Sequence, residues 1–67
     1  MTKTRVVYLT EERRGSFEYR MKEKINSELK ILGNLGCEIV DIKLASTPET
    51  KEDYGAVDAL IIYRVKE

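Results

Sequence analysis

The chain has 67 residues, in which twelve Lys and Arg balance twelve Asp and Glu, with no histidine and one cysteine, Cys37. A single domain, residues 1–67, is expected, and its core is marginal because a chain of this length buries only about 60% of its unfolded surface. The zero net charge argues against nucleic-acid and membrane partners. A lone cysteine without histidine excludes an internal disulfide and predicts neither a metal nor another cofactor, so stability must come from packing or a partner subunit.

The first predicted element is a short strand at residues 5–10, whose apolar side chains alternate between two faces. Val7 and Leu9 share one of these faces. The charged residues that follow, beginning with Glu11, are expected to form a solvated turn.

An amphipathic helix is predicted from residue 17 to between residues 32 and 35, because apolar side chains recur there every three or four positions. Gly36 is the expected C-cap, since glycine adopts the left-handed conformation that ends many helices. The apolar stripe consists of Phe17, Met21, Ile25, Leu29 and Leu32.

The second strand is predicted at residues 37–44, and the polar stretch at 45–55 is expected to be an exposed loop with a mobile tip. Strict alternation turns Ile39 away from the helix. It turns three aliphatic side chains of this strand towards the helix: Val40, Ile42 and Leu44.

The third strand, residues 57–65, is apolar on both faces, which is typical of a strand with a neighbour on each side. The predicted fold is therefore α+β, of β-α-β-β order. Its three-stranded antiparallel sheet has the strand order 1-3-2, and one helix covers one face.

The sheet face opposite the helix is predicted to be an association surface, because it has an apolar centre and a charged rim. We expect a homodimer to form through this face, while pairing through an edge strand is also open. The residues of the predicted surface are Val6, Tyr8, Ile39, Leu60 and Ile62.

The basic residues concentrate around the helix start and could contact nucleic-acid phosphates or an acidic protein, although nearby glutamates dilute their charge and favour a solvated helix face. This predicted basic patch comprises Arg13, Arg14, Arg20, Lys22 and Lys24. No catalytic residue is predicted, because histidine is absent and Cys37 follows the negative end of the helix, where a thiolate is disfavoured.

Three segments carry a resemblance to known proteins: residues 26–29 (NSEL), 38–43 (EIVDIK) and 59–63 (ALIIY). They resemble the small sigma-E-controlled sporulation proteins of the Cse type, and also a broader group of uncharacterised β-α-β-β domains. The resemblance implies a cytoplasmic accessory protein without a catalytic residue.

The leading hypothesis from the sequence is a cytoplasmic, non-enzymatic, homodimeric interaction module. One alternative is a small nucleic-acid-associated regulatory protein that uses the basic patch. Another is a subunit of a larger enzyme complex, since the apolar sheet face could receive a different protein.

Overall fold

A computed structural model describes residues 2–66 and contains the four predicted elements in the predicted order. They are β1 (Thr2–Glu12), α1 (Phe17–Asn34), β2 (Glu38–Thr47) and β3 (Ala56–Lys66). The strands form one antiparallel sheet in the order β1-β3-β2, which confirms the predicted α+β fold. Each strand extends beyond its predicted end, because sheet pairing continues through polar residues that carry no apolar signal.

The core consists of buried side chains from α1 and β3. Ala59 and Ile61 are completely buried, and Met21 and Leu32 of α1 retain 5% and 4% exposure. Paired residues of neighbouring strands share a sheet face, so the register gives the rows that lie under the helix. These rows are Val7–Ile61–Ile42 and Leu9–Ala59–Leu44.

The end of α1 has the predicted glycine cap. Gly36 has a φ of 76°, its N–H donates to the Gly33 carbonyl oxygen at 3.0 Å, and the N–H of Cys37 donates to the Leu32 carbonyl oxygen at 2.9 Å. These two bonds form a Schellman motif, which satisfies carbonyl groups that the helix itself leaves free. The turn also redirects the chain into β2.

A β-bulge at Val40 corrects the predicted facing of β2. Ile39 pairs with Tyr63 and Asp41 pairs with Ile62, so Val40 is an extra residue on this strand. The extra residue reverses the alternation before it. Ile39 therefore lies on the helix side of the sheet, and its assignment to the open face was wrong.

The helix leaves the β2 side of the sheet uncovered. Ile42 and Leu44, predicted core residues, remain 37% and 67% exposed. The cause is the position of α1, which contacts β1 over more of its length than β2.

The molecule is elongated and exposes more surface than a typical monomer of its size. Its radius of gyration is 13.9 Å, against about 11 Å for a compact chain of this length. Its accessible surface is 5200 Å², against about 4400 Å² expected from its mass. The fold therefore leaves apolar surface that a second layer could cover.

Candidate association surfaces

The outer edge of β2 is the first candidate surface. All ten residues of this strand are exposed, although it contains four aliphatic side chains between Ile39 and Leu44. The outward N–H and C=O groups of an edge strand have no partner strand, so such an edge can pair with another chain. In β2 this backbone edge and the exposed aliphatic side chains coincide.

An apolar groove lies beside this edge, on the helix side of the sheet. It has a volume of about 330 Å³ and runs between the first half of α1 and the strands. Leu44 is the residue that joins the groove to the β2 edge. The other apolar side chains of its wall are Phe17, Met21, Ile25 and Val57.

The Ile42 N–H shows which backbone groups face outwards from β2. It donates to Oδ1 of Asp41 at 2.8 Å. The Arg13 N–H donates to the Gly55 carbonyl oxygen, so by alternation the backbone groups of Ile61 point to β1. Its β2 partner, Ile42, therefore makes no ladder bond to β3. In an antiparallel strand the N–H and C=O of one residue point the same way, so Ile42 presents both groups to the free edge. The Asp41 carboxylate therefore covers an edge donor that has no strand partner.

The open sheet face, opposite the helix, is the second candidate surface. Four of its five predicted residues lie together, since Val6 pairs with Ile62 and Tyr8 pairs with Leu60. Val6 and Tyr8 are 55% and 60% exposed, and the two β3 side chains are half-buried. The fifth predicted residue, Ile39, lies on the other side of the sheet because of the bulge.

Polar side chains of the open face bind one another at its two ends. The hydroxyls of Tyr8 and Thr10 donate to Oδ1 of Asp58 at 2.9 and 2.7 Å. At the opposite end, Arg64 lies 3.7 Å from the Glu38 carboxylate. The polar side chains at both ends of this face therefore already have partners within the chain, and they border a small apolar centre.

Two residues of the predicted basic patch are held by a strand carboxylate. Nε of Arg20 lies 2.5 Å from Oε1 of Glu11, and Nζ of Lys24 lies 2.6 Å from its Oε2. Lys24 also donates to the Thr10 carbonyl oxygen at 2.8 Å. The hydrogen bonds from Lys24 and then Arg20 hold the pKa of Glu11 below its ordinary value, since they stabilise the carboxylate form.

Glu11 is therefore a strand residue with a 13% exposed side chain, not the solvated turn residue that the sequence predicted. Arg20 and Lys24 lie one helical turn apart on the same side of α1, and both bind the Glu11 carboxylate. This tether holds the first half of the helix beside β1, which explains why the β2 side stays uncovered.

The remaining cations of the predicted patch lie in separate surroundings. Arg13 stacks 5.8 Å from the centre of the Phe17 ring, and Arg14 stacks 5.5 Å from that of Tyr54. Lys22 lies at the apolar groove. The five residues are thus divided among a carboxylate, two aromatic rings and a groove.

Within residues 2–66, no three His, Cys, Asp or Glu residues lie together in a way that could hold a metal ion. Cys37 is a free, half-buried thiol directly after α1. No helix in this range is long and apolar enough to cross a membrane.

Comparison with protein-family models, with curated proteins and with solved structures finds no match to the chain. The sequence predicted the open face and left pairing through an edge strand open, without naming β2. No signal in the sequence identified β2 as the exposed edge, because its aliphatic side chains are equally compatible with a strand whose face is buried.

Proposed function

We propose that the protein is a non-enzymatic interaction module that works as a homodimer. The observation that carries the proposal is its excess of exposed surface. The 5200 Å² of accessible surface exceeds the value expected for its mass by roughly 800 Å². A stable protein interface buries about 800 Å² on each partner.

The location of the excess supports the same proposal. Exposed aliphatic side chains line β2, and the groove beside them is walled mainly by apolar groups. When a partner buries core-type side chains such as Leu44, the free energy of the complex falls by about 25 cal/mol per Å² of apolar area removed from water. A second copy is the simplest partner, because a two-fold axis lets the same apolar surface of each copy cover that of the other.

A non-enzymatic role fits the side-chain chemistry. The sequence contains no histidine, the commonest general base. The cysteine, Cys37, is half-buried and has no histidine in the chain to act as its base. The resemblance to small sporulation proteins remains a prediction about the biological context of such a module.

The nucleic-acid alternative is not favoured by the geometry. Phosphate binding requires cations that are free to approach the backbone of the nucleic acid together. Arg20 and Lys24 are bound to Glu11, and Arg13 and Arg14 stack on separate rings. A subunit role in a larger complex uses the same apolar surfaces and is an outcome of the experiment below.

Sedimentation equilibrium and the concentration dependence of thermal unfolding test the proposal. We expect a dimer at micromolar concentration and a midpoint of unfolding that rises with protein concentration, because dimerisation stabilises only the folded state. A monomer at high micromolar concentration, with a constant midpoint, would contradict the homodimer. It would leave a different protein as the partner.

A further inference from the structure

We infer that two copies join through their β2 edges, antiparallel, about a two-fold axis that passes beside Ile42. This inference rests on the proposed homodimer and names its interface. The product is a continuous six-stranded sheet in which β2 is no longer an edge. The axis is perpendicular to the sheet, so both α1 helices lie on the same face.

The backbone limits the possible registers. In an antiparallel pair, a residue whose N–H and C=O point to the neighbour must lie opposite another such residue. Ile42 points outwards, as its N–H bond to the Asp41 side chain shows. Two copies of β2 can therefore pair Ile42 with the partner's Ile42, or with residues an even number of positions away.

Charge selects among these registers. With Ile42 opposite the partner's Ile42, Asp41 lies opposite the partner's Lys43, and the symmetry makes this pair twice. A shift that centres the axis on Asp41 or on Lys43 puts like charges opposite each other, which is destabilising. Centring on Leu44 leaves Asp41 and Lys43 without charged partners and places Ile42 opposite Ser46.

The selected register also matches the apolar side chains. Leu44 lies opposite the partner's Val40, and the two Ile42 side chains are adjacent on the helix side of the sheet. Leu44 and Val40 are 67% and 44% exposed in the single chain. The two apolar grooves then flank the seam on the same face.

Dimerisation gives the Ile42 N–H a new acceptor. In the single chain it donates to the Asp41 carboxylate. In the dimer it donates to the carbonyl of the partner's Ile42, which frees the carboxylate for the partner's Lys43. The bulge at Val40 interrupts regular pairing at each end of the seam, so the segment of β2 that pairs regularly with the partner is short.

A charge-exchange experiment tests the register. The dimer dissociation constant is measured by sedimentation equilibrium for the wild type, Asp41→Lys, Lys43→Asp and the double variant, with circular dichroism to verify folding. Each single change places like charges opposite each other twice, so we expect the dissociation constant to rise roughly tenfold. The double variant restores opposite charges, and its constant should return to within about threefold of the wild type.

Two further variants separate the possible failures. Lys51→Asp repeats the charge change in the exposed loop after β2, and it should leave the dissociation constant unchanged. Leu60→Lys places a charge on the open face. A wild-type dimer that Leu60→Lys dissociates, and that the β2 changes leave intact, would overturn the edge inference and keep the homodimer.

The remaining outcomes are equally decisive. Single variants that weaken the dimer without rescue by the double variant would overturn the register. A wild-type protein that stays monomeric would overturn the proposed function, and the edge inference with it.

Discussion

Gly55 is the residue whose identity the fold constrains most tightly. Its φ is 80°, and a Cβ there would overlap the Thr47 carbonyl oxygen and lie 3.0 Å from the carbonyl carbon of Pro48. Its own carbonyl oxygen accepts the Arg13 N–H at 3.0 Å. Gly55 thus holds together the end of β2, the start of β3 and the turn after β1.

We predict that Gly55→Ala lowers the free energy of unfolding by about 2 kcal/mol or more, from the combined backbone strain and overlap. Gly33→Ala is the matched control. A Cβ at Gly33 has no neighbour within 4 Å, and alanine in a helix interior should add about 0.5–1 kcal/mol. Urea unfolding measures both, and equal effects of the two changes would contradict this account of Gly55.

At the scale of elements, the Glu11 tether fixes α1 to β1. The carboxylate is bound by Lys24 and Arg20, which hold its pKa below the ordinary glutamate value. The unfolded chain therefore takes up this proton at higher pH than the folded chain does. The stabilisation is complete above the ordinary glutamate pKa and is lost as the pH falls through the lowered pKa.

We predict that acidification through this range destabilises the wild type more steeply than Glu11→Gln, which has no carboxylate to protonate. Unfolding free energies measured from neutral to acidic pH compare the two proteins. Glu49→Gln, in the exposed loop, is the control and should keep the wild-type slope. Identical profiles for the wild type and Glu11→Gln would show that the tether contributes no pH dependence.

The sequence predicted the elements better than their relative placement. Residues 57–65 are apolar on both faces, which identified the central strand, and Gly36 identified the helix end. The bulge at Val40 could not be read from alternation, because Val40, Ile42 and Leu44 fit a regular strand equally well. Its consequence was one misplaced residue of the predicted association surface, Ile39.

The position of the helix on the sheet could not be predicted from the sequence either. An apolar stripe predicts that a helix packs on a sheet but not which strand it favours. Here ion pairs with Glu11 place α1 beside β1. Two residues of the predicted basic patch, Arg20 and Lys24, form these pairs. The candidate site at β2 is the result, since Leu44 was predicted to be core and is exposed instead.

At the scale of the whole molecule, a 67-residue chain folds into an elongated layer with little enclosed core. Among the described residues, the buried apolar side chains are Met21, Leu32, Ala59 and Ile61. Domains of this size commonly need an additional source of stability. A second copy at the β2 edge supplies paired backbone groups and buried aliphatic area in one contact.

Disulfide trapping at the proposed axis tests the central claim most directly. In a Cys37→Ser background, Ile42→Cys places one thiol on each side of the axis, where directly opposite Cα atoms lie about 5.5 Å apart and permit a disulfide. We predict that mild oxidation converts this variant into a covalent dimer, with circular dichroism unchanged. An Ile42→Cys protein that stays monomeric on oxidation, while Leu60→Cys in the same background forms the covalent dimer, would contradict the account.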